Sequence, residues 1–179
     1  SCGTESDNTA ILSALKSNPD KKHIITSTVE HPAVLNLCQN LAKSGYRITY
    51  VPVDRAGLLD EETLFKSLDD DTALVSLMWA NNETGVTFPI ERISQIVRAR
   101  KILFHTDAVQ AAGKVPVSVK NTGIDFLAIS GHKIHAPKGV GLLYVRGGTS
   151  FHPMLIGGHQ EKGRRAGTEN VASIVALGR

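Results

Sequence analysis

The sequence predicts an α/β fold, a mostly parallel β-sheet with helices on its faces. Three observations carry this: helix-like and strand-like stretches alternate repeatedly along the chain, as parallel-sheet folds require. Thr72 to Ala80 is a nearly continuous apolar run, the pattern of a strand covered on both faces. Polar residues able to do chemistry follow directly after several strands, where ligands of such sheets sit.

The elements follow in order. Glu5 to Leu15 reads as a helix, with small polar residues ahead of it able to cap. His23 to Ser27 is a short β-rich run. His31 to Lys43 places Val34, Leu35, Leu37, Cys38, Leu41 and Ala42 at helical spacing and stops at Gly45. Arg47 to Val53 is rich in β-branched and aromatic residues and reads as a strand. Asp60 to Leu68 is a short helix opened by an Asp cap, and Pro89 to Lys101 a helix with proline in its first turn. Ile102 to His105, Phe126 to Ile129 and Gly141 to Val145 complete the strands. There is no internal repeat and no low-complexity linker.

The 179 residues, 41% hydrophobic and 21% charged, suffice for one sizeable core. A net charge of +3 with scattered basic residues does not describe a nucleic-acid surface. The densest cluster, Lys162, Arg164 and Arg165, fits a phosphate-handling pocket better. Cys2 and Cys38 form neither a disulfide framework nor a metal spacing, which agrees with a reducing cytoplasm. No apolar stretch approaches a membrane span, and no metal site is expected. The chain opens without Met and closes inside an apolar helical stretch, Ala172–Arg179, so it reads as an internal piece of a longer protein, cut at both ends.

Lys133 is the first candidate for chemistry. It follows an apolar strand and precedes the Pro137-Lys138-Gly139 loop, where a partly desolvated amine would become a nucleophile toward an aldehyde. A solvated loop lysine is the plainer alternative. Asp107, 26 residues earlier and one strand back, adds weight. A buried carboxylate there could keep a pyridine nitrogen protonated, although capping a short helix from Ala108 is an ordinary role for it. Gly3 and Thr4 lead into a helix whose positive end could receive a phosphate, and Ser130 and His132 could add donors. Thr4 or Ser6 could equally be a simple cap. His31 could lie flat on a heteroaromatic ring, or be structural. Asn82 and Gln110 could hydrogen-bond a ring oxygen or a substrate carboxylate. His105 is expected to pack or to act from behind the site.

These residues lie in motifs that resemble a known family. Ser-Cys-Gly-Thr-Glu-Ser-Asp-Asn (1–8), Glu-His-Pro-Ala-Val (30–34), Asn-Asn-Glu-Thr-Gly (81–85), His-Thr-Asp-Ala-Val-Gln (105–110), Ser-Gly-His-Lys (130–133), Ala-Pro-Lys-Gly-Val-Gly (136–141) and Arg-Ala-Gly-Thr-Glu-Asn (165–170) resemble class V pyridoxal-phosphate enzymes. Within that class they look most like cysteine desulfurases of the type serving nitrogenase and iron–sulfur cluster assembly. The resemblance runs through essentially the whole chain.

The resemblance implies a fold-type I large-domain core with a seven-stranded type of sheet. Residues 1–179 would form part of this pyridoxal-phosphate-binding domain, with an N-terminal segment and a small C-terminal domain lying outside the chain. It further implies that Lys133 holds pyridoxal 5'-phosphate as a Schiff base and later takes the α-proton of L-cysteine. Asp107 would pair with the ring nitrogen and Gln110 with the ring oxygen. His31 would stack on the ring and help move protons, and Asn82 would contact cofactor and substrate. Gly3, Thr4, Ser130 and His132 would hold the phosphate. Thr168 would reach across a homodimer interface to the partner's phosphate. The products implied are alanine and an enzyme persulfide for a sulfur-accepting scaffold protein. The sulfur-accepting cysteine would lie beyond Arg179, so neither Cys2 nor Cys38 is its counterpart, and the chain alone would be incomplete for turnover. Cys38 is expected in the core. A selenocysteine lyase, another class V lyase or aminotransferase, and a non-catalytic interaction protein retaining the fold are the alternatives.

Overall fold

The computed structural model describes residues 1–179, with element order α1 (Gly3–Ser17), β1 (His23–Ser27), α2 (Pro32–Lys43), β2 (Arg47–Val51), α3 (Glu61–Lys66), β3 (Thr72–Met78), α4 (Ile90–Ala99), β4 (Leu103–Asp107), β5 (Phe126–Ser130), β6 (Gly141–Val145) and α5 (Val171–Leu177). Two short 3-10 turns, Gly131–Ile134 and Gln160–Gly163, fall where the sequence suggested only loop.

The six strands form one sheet in the order β2-β1-β3-β4-β5-β6. All pairings are parallel except β5 with β6, which is antiparallel. The described sheet thus has six strands, against the seven-stranded type implied by the resemblance, and one reversed edge. The chain moves outward from β1 to β2 and then returns to place β3 on the other side of β1. That reversal is a topological switch point, and the crevice beyond the carboxyl ends of the strands there is the expected ligand position.

Strand alternation divides the core into two layers. Ile24, Leu74 and Phe126 point toward α1 and α2, where they meet Ala10, Ile11, Ala14, Val34, Cys38 and Leu41. Their neighbours Ile25, Val75 and Leu127 point the other way, toward Leu64 of α3 and Ile90, Ile93 and Val97 of α4. Each fully buried Ile or Leu of this kind contributes roughly 1.5–3 kcal/mol. Cys38 is fully buried, and burial pushes its thiol up to about 12.

Local signals explain most element ends. His31 caps α2, its Nδ1 accepting from the Ala33 N–H, and Pro32 fills the first helical position. Asp60 caps α3 through the Thr63 N–H at 2.9 Å. The first helix departs from expectation: it starts at Gly3, and Cys2 before it supplies no side-chain cap.

Gly123, between β4 and β5, allows the chain to lie directly on α4. A Cβ there would fall 1.9 Å from the Ser94 carbonyl oxygen and 2.3 Å from its carbon, while the Gly123 N–H donates to Ser94 Oγ at 3.0 Å. Both atoms are backbone and cannot rotate away. Gly123→Ala is therefore expected to destabilise the fold by about 3 kcal/mol or more, read as a lower urea midpoint. An unchanged midpoint would show that the loop can lift off α4 freely.

Candidate active site

The strand ends and the start of α1 converge on a cavity of about 210 Å³. Its walls include Gly3, Thr4, His31, Asn82, Asp107, Gln110, Ser130, His132 and Lys133. Nine of the ten residues singled out in the sequence therefore share one crevice. The exception is Thr168, which lies on a separate groove of about 580 Å³ with Glu5, Arg164, Arg165 and Ile174. Within this chain Thr168 does not reach the cavity.

The positive end of α1 forms one wall. The N–H groups of Gly3, Thr4 and Glu5 have no acceptor in the chain, since the first intrahelical bond is from Ser6 to Cys2. Close packing aims this end. A Cβ on Gly3 would come 2.9 Å from Val109 Cγ2, and one on Gly141 would come 2.8 Å from the Cys2 carbonyl carbon. Only glycines allow the helix start to sit against the ends of β4, β5 and β6. Ser130 Oγ and His132 Nδ1, 2.9 Å apart, stand beside it.

Asp107 ends β4 and is 6% exposed. Its Oδ1 accepts from the Val109 N–H at 2.8 Å, so it closes a turn rather than capping a helix from Ala108. Its other oxygen receives no hydrogen bond within the chain. Burial pushes the carboxyl up to about 7, the neighbouring Asp7 charge adds to the rise, and the Val109 N–H and His105 oppose it.

His31 accepts the Ala33 N–H at Nδ1, which leaves its hydrogen on Nε2, the atom free to face a ligand. Gln110 is half-buried, with Oε1 accepting from Lys114 Nζ at 2.6 Å, so its amide is already partly engaged. Lys133 sits in the turn after β5 and lines the crevice. Its side chain is exposed, so this chain alone does not supply the burial expected of it. The turn is short, ends in a left-handed His135, and brings the lysine to the cavity lining.

Two residues of the neighbourhood went unrecognised in the sequence. Asp7 lines the cavity from α1, 1% exposed. Glu30 ends the β1 loop, 4% exposed, its Oε1 accepting from Ser27 Oγ at 2.7 Å and from the Met78 N–H at 2.9 Å. Its Oε2 has no partner, and burial pushes this carboxyl up to about 8. Nothing in a local window distinguishes either from an exposed helix or loop carboxylate. His105, by contrast, is fully buried behind the site as expected.

The family description Aminotransferase class-V matches residues 1–179. The chain belongs to the class V aminotransferase family. It is 62% identical over 178 residues to the cysteine desulfurase NifS of Azotobacter vinelandii, covering 99% of this chain and 44% of that protein. It is 61% identical over 179 residues to a cysteine desulfurase of Nostoc sp., covering 100% of this chain and 45% of the relative. Among solved structures, a NifS-like protein superposes with a TM-score of 0.95 at 43% identity, covering 99% of this chain and 49% of that one. DndA from Streptomyces lividans superposes at 0.92 and 41% identity, with coverage of 99% and 52%. The class V chain thus spans about half the length of the relatives it matches.

The donor set fits pyridoxal phosphate on its own terms. The uncapped α1 N–H groups offer an anion site, buried Asp107 offers a carboxylate to a ring nitrogen, and Lys133 offers the amine.

Proposed function

We infer that the whole protein carrying this class V chain is a pyridoxal-phosphate-dependent cysteine desulfurase. It removes sulfur from L-cysteine, leaving alanine and a persulfide on an enzyme thiol outside the chain. The observation that carries this reading is the convergence of α1's free N–H groups, Asp107 and Lys133 on one crevice, in a chain 62% identical to a cysteine desulfurase.

When bound, the cofactor supplies an electron sink for the bond-breaking at the substrate's α-carbon. The chain's residues do the rest. Lys133 Nζ would be the amine that holds the cofactor's aldehyde and the base for the substrate's α-proton. Asp107 holds a proton on the ring nitrogen. Gly3, Thr4, Ser130 and His132 bind the phosphate, with helix-end N–H groups giving charge-assisted bonds. His31, its Nδ1 engaged by the Ala33 N–H, would lie against the ring with Nε2 left for proton movement. Gln110 and Asn82 orient ring oxygen and substrate. We place the protein in the cytoplasm as a homodimer in which Thr168 completes the partner's phosphate site, with a sulfur-accepting scaffold as the downstream protein. Arg164 lines the groove beside Thr168 and supports an anion there, whereas Arg165 is paired with Glu5 at 2.8 Å. No helix is long and apolar enough to cross a membrane.

Adding pyridoxal phosphate to the whole protein tests this. The native protein is expected to gain visible absorption and to release alanine from L-cysteine, and Lys133→Ala is expected to lose both. Equal absorption in the two proteins would remove Lys133 from its role.

A further inference from the structure

Three buried carboxyl groups gather at the crevice: Asp7 from α1, Glu30 from the loop after β1 and Asp107 from β4, each at most 6% exposed. One imidazole stands among them. His105 shares its strand face with Asp107, two residues on, and sits opposite Ser76 of β3 in the sheet register. Its Nδ1 lies 2.8 Å from Ser76 Oγ. Its Nε2 lies 3.4 Å from Asp7 Oδ1, and neither of these atoms has any other partner. A buried polar atom without a partner is costly, and here two such atoms face each other across one gap.

We propose that Asp7, held by His105, is a positioning residue that places a second negative charge behind Asp107 and so strengthens its grip on a ring-nitrogen proton. The inference rests on the desulfurase reading for its purpose, though not for its test. With the Ser76 hydroxyl as donor to Nδ1, the ring hydrogen sits on Nε2 and points at Asp7 Oδ1. The chain Ser76–His105–Asp7 thereby gives the buried Asp7 carboxyl a polar partner inside the fold. Asp7 then acts on Asp107 across the cavity wall, in the direction that favours proton retention. Glu30 faces the same cluster from the loop after β1. It is held neutral near pH 7 by its burial and does not cancel the effect.

The readout is the titration of the Asp107 side-chain carboxyl carbon, followed by NMR in the cofactor-free whole protein. With Asp7→Asn the Asp107 midpoint is expected to fall by about one pH unit or more toward the ordinary carboxylate range. A midpoint that does not move overturns the proposal. The native protein decides the matter even if that variant folds poorly. Nitrogen-15 signals of His105 are expected to place its hydrogen on Nε2, and a hydrogen on Nδ1 alone overturns the proposal. Because both readouts precede cofactor addition, a failed pyridoxal-phosphate titration would overturn the desulfurase reading and leave the Asp7 result standing.

Discussion

Replacing Asp107 with asparagine is expected to leave the fold intact and lower alanine formation by the whole protein by roughly 10- to 10³-fold. The substitution is nearly isosteric. The asparagine carbonyl can still accept the Val109 N–H that Oδ1 now receives at 2.8 Å, so the turn after β4 persists. What disappears is a negative charge in a buried wall. An opposite charge at close range moves a partner's proton affinity by about one to three pH units, and each unit is a factor of ten in the protonated population. Loss of that population reduces turnover in proportion, because the ring accepts electrons only when protonated. The checks are alanine release and the visible spectrum of the loaded protein. Normal turnover with a normal spectrum would mean that another group holds the proton.

The fold was largely legible because the strands carry their own evidence. β1 (His23–Ser27) and β6 (Gly141–Val145) have the bounds their β-rich and apolar residues suggest. β3 was overextended by two residues, since Trp79 and Ala80 are as apolar and buried as the strand itself. Where the chain bends after Met78 is decided by pairing with β4, which the apolar pattern does not reveal. The start of α1 was misplaced for a related reason. Cys2 and Gly3 are poor helix openers by propensity, and the contacts of Gly3 with Val109 and Ser130, residues more than a hundred positions away, fix the helix there.

The candidate site was legible as a set of strand-end polar residues, and its electrostatics were not. Asp7 sits in Glu-Ser-Asp-Asn, a stretch that reads as the wet face of a helix, yet α1 is buried on nearly every side. Lys133 differs in the opposite sense, lining the crevice while remaining exposed in this chain. Its place after an apolar strand suggests partial burial, and the short 3-10 turn leaves it at the crevice but open to water. Strand order brings groups to one crevice, but which of them lose water depends on the helices laid over it.

Glu30 shows the consequence of that burial most strongly. Its carboxyl is raised from 4.5 to about 8 in the folded protein, chiefly by loss of water. An unfolded chain ionises this group above pH 4.5 while the folded one keeps it protonated, so the folded state binds more protons and stability falls as pH rises. The contribution is fully present below about pH 4.5 and is lost progressively as pH rises through about 8. Over that window the loss amounts to roughly 5 kcal/mol, and Asp107, raised to about 7, acts in the same direction. Glu30→Gln removes the Glu30 part. The amide oxygen can accept from Ser27 Oγ and the Met78 N–H as Oε1 does now, and the amide nitrogen replaces the unpartnered Oε2 without ever ionising. The cofactor-free variant is therefore expected to match the native protein near pH 4.5 and to exceed it by several kcal/mol at pH 8. Urea unfolding at pH 5, 6.5 and 8 reads the difference directly. Parallel curves at all three values would mean that the Glu30 carboxyl is already ionised in the fold, paired with a group that turns toward Oε2 in solution.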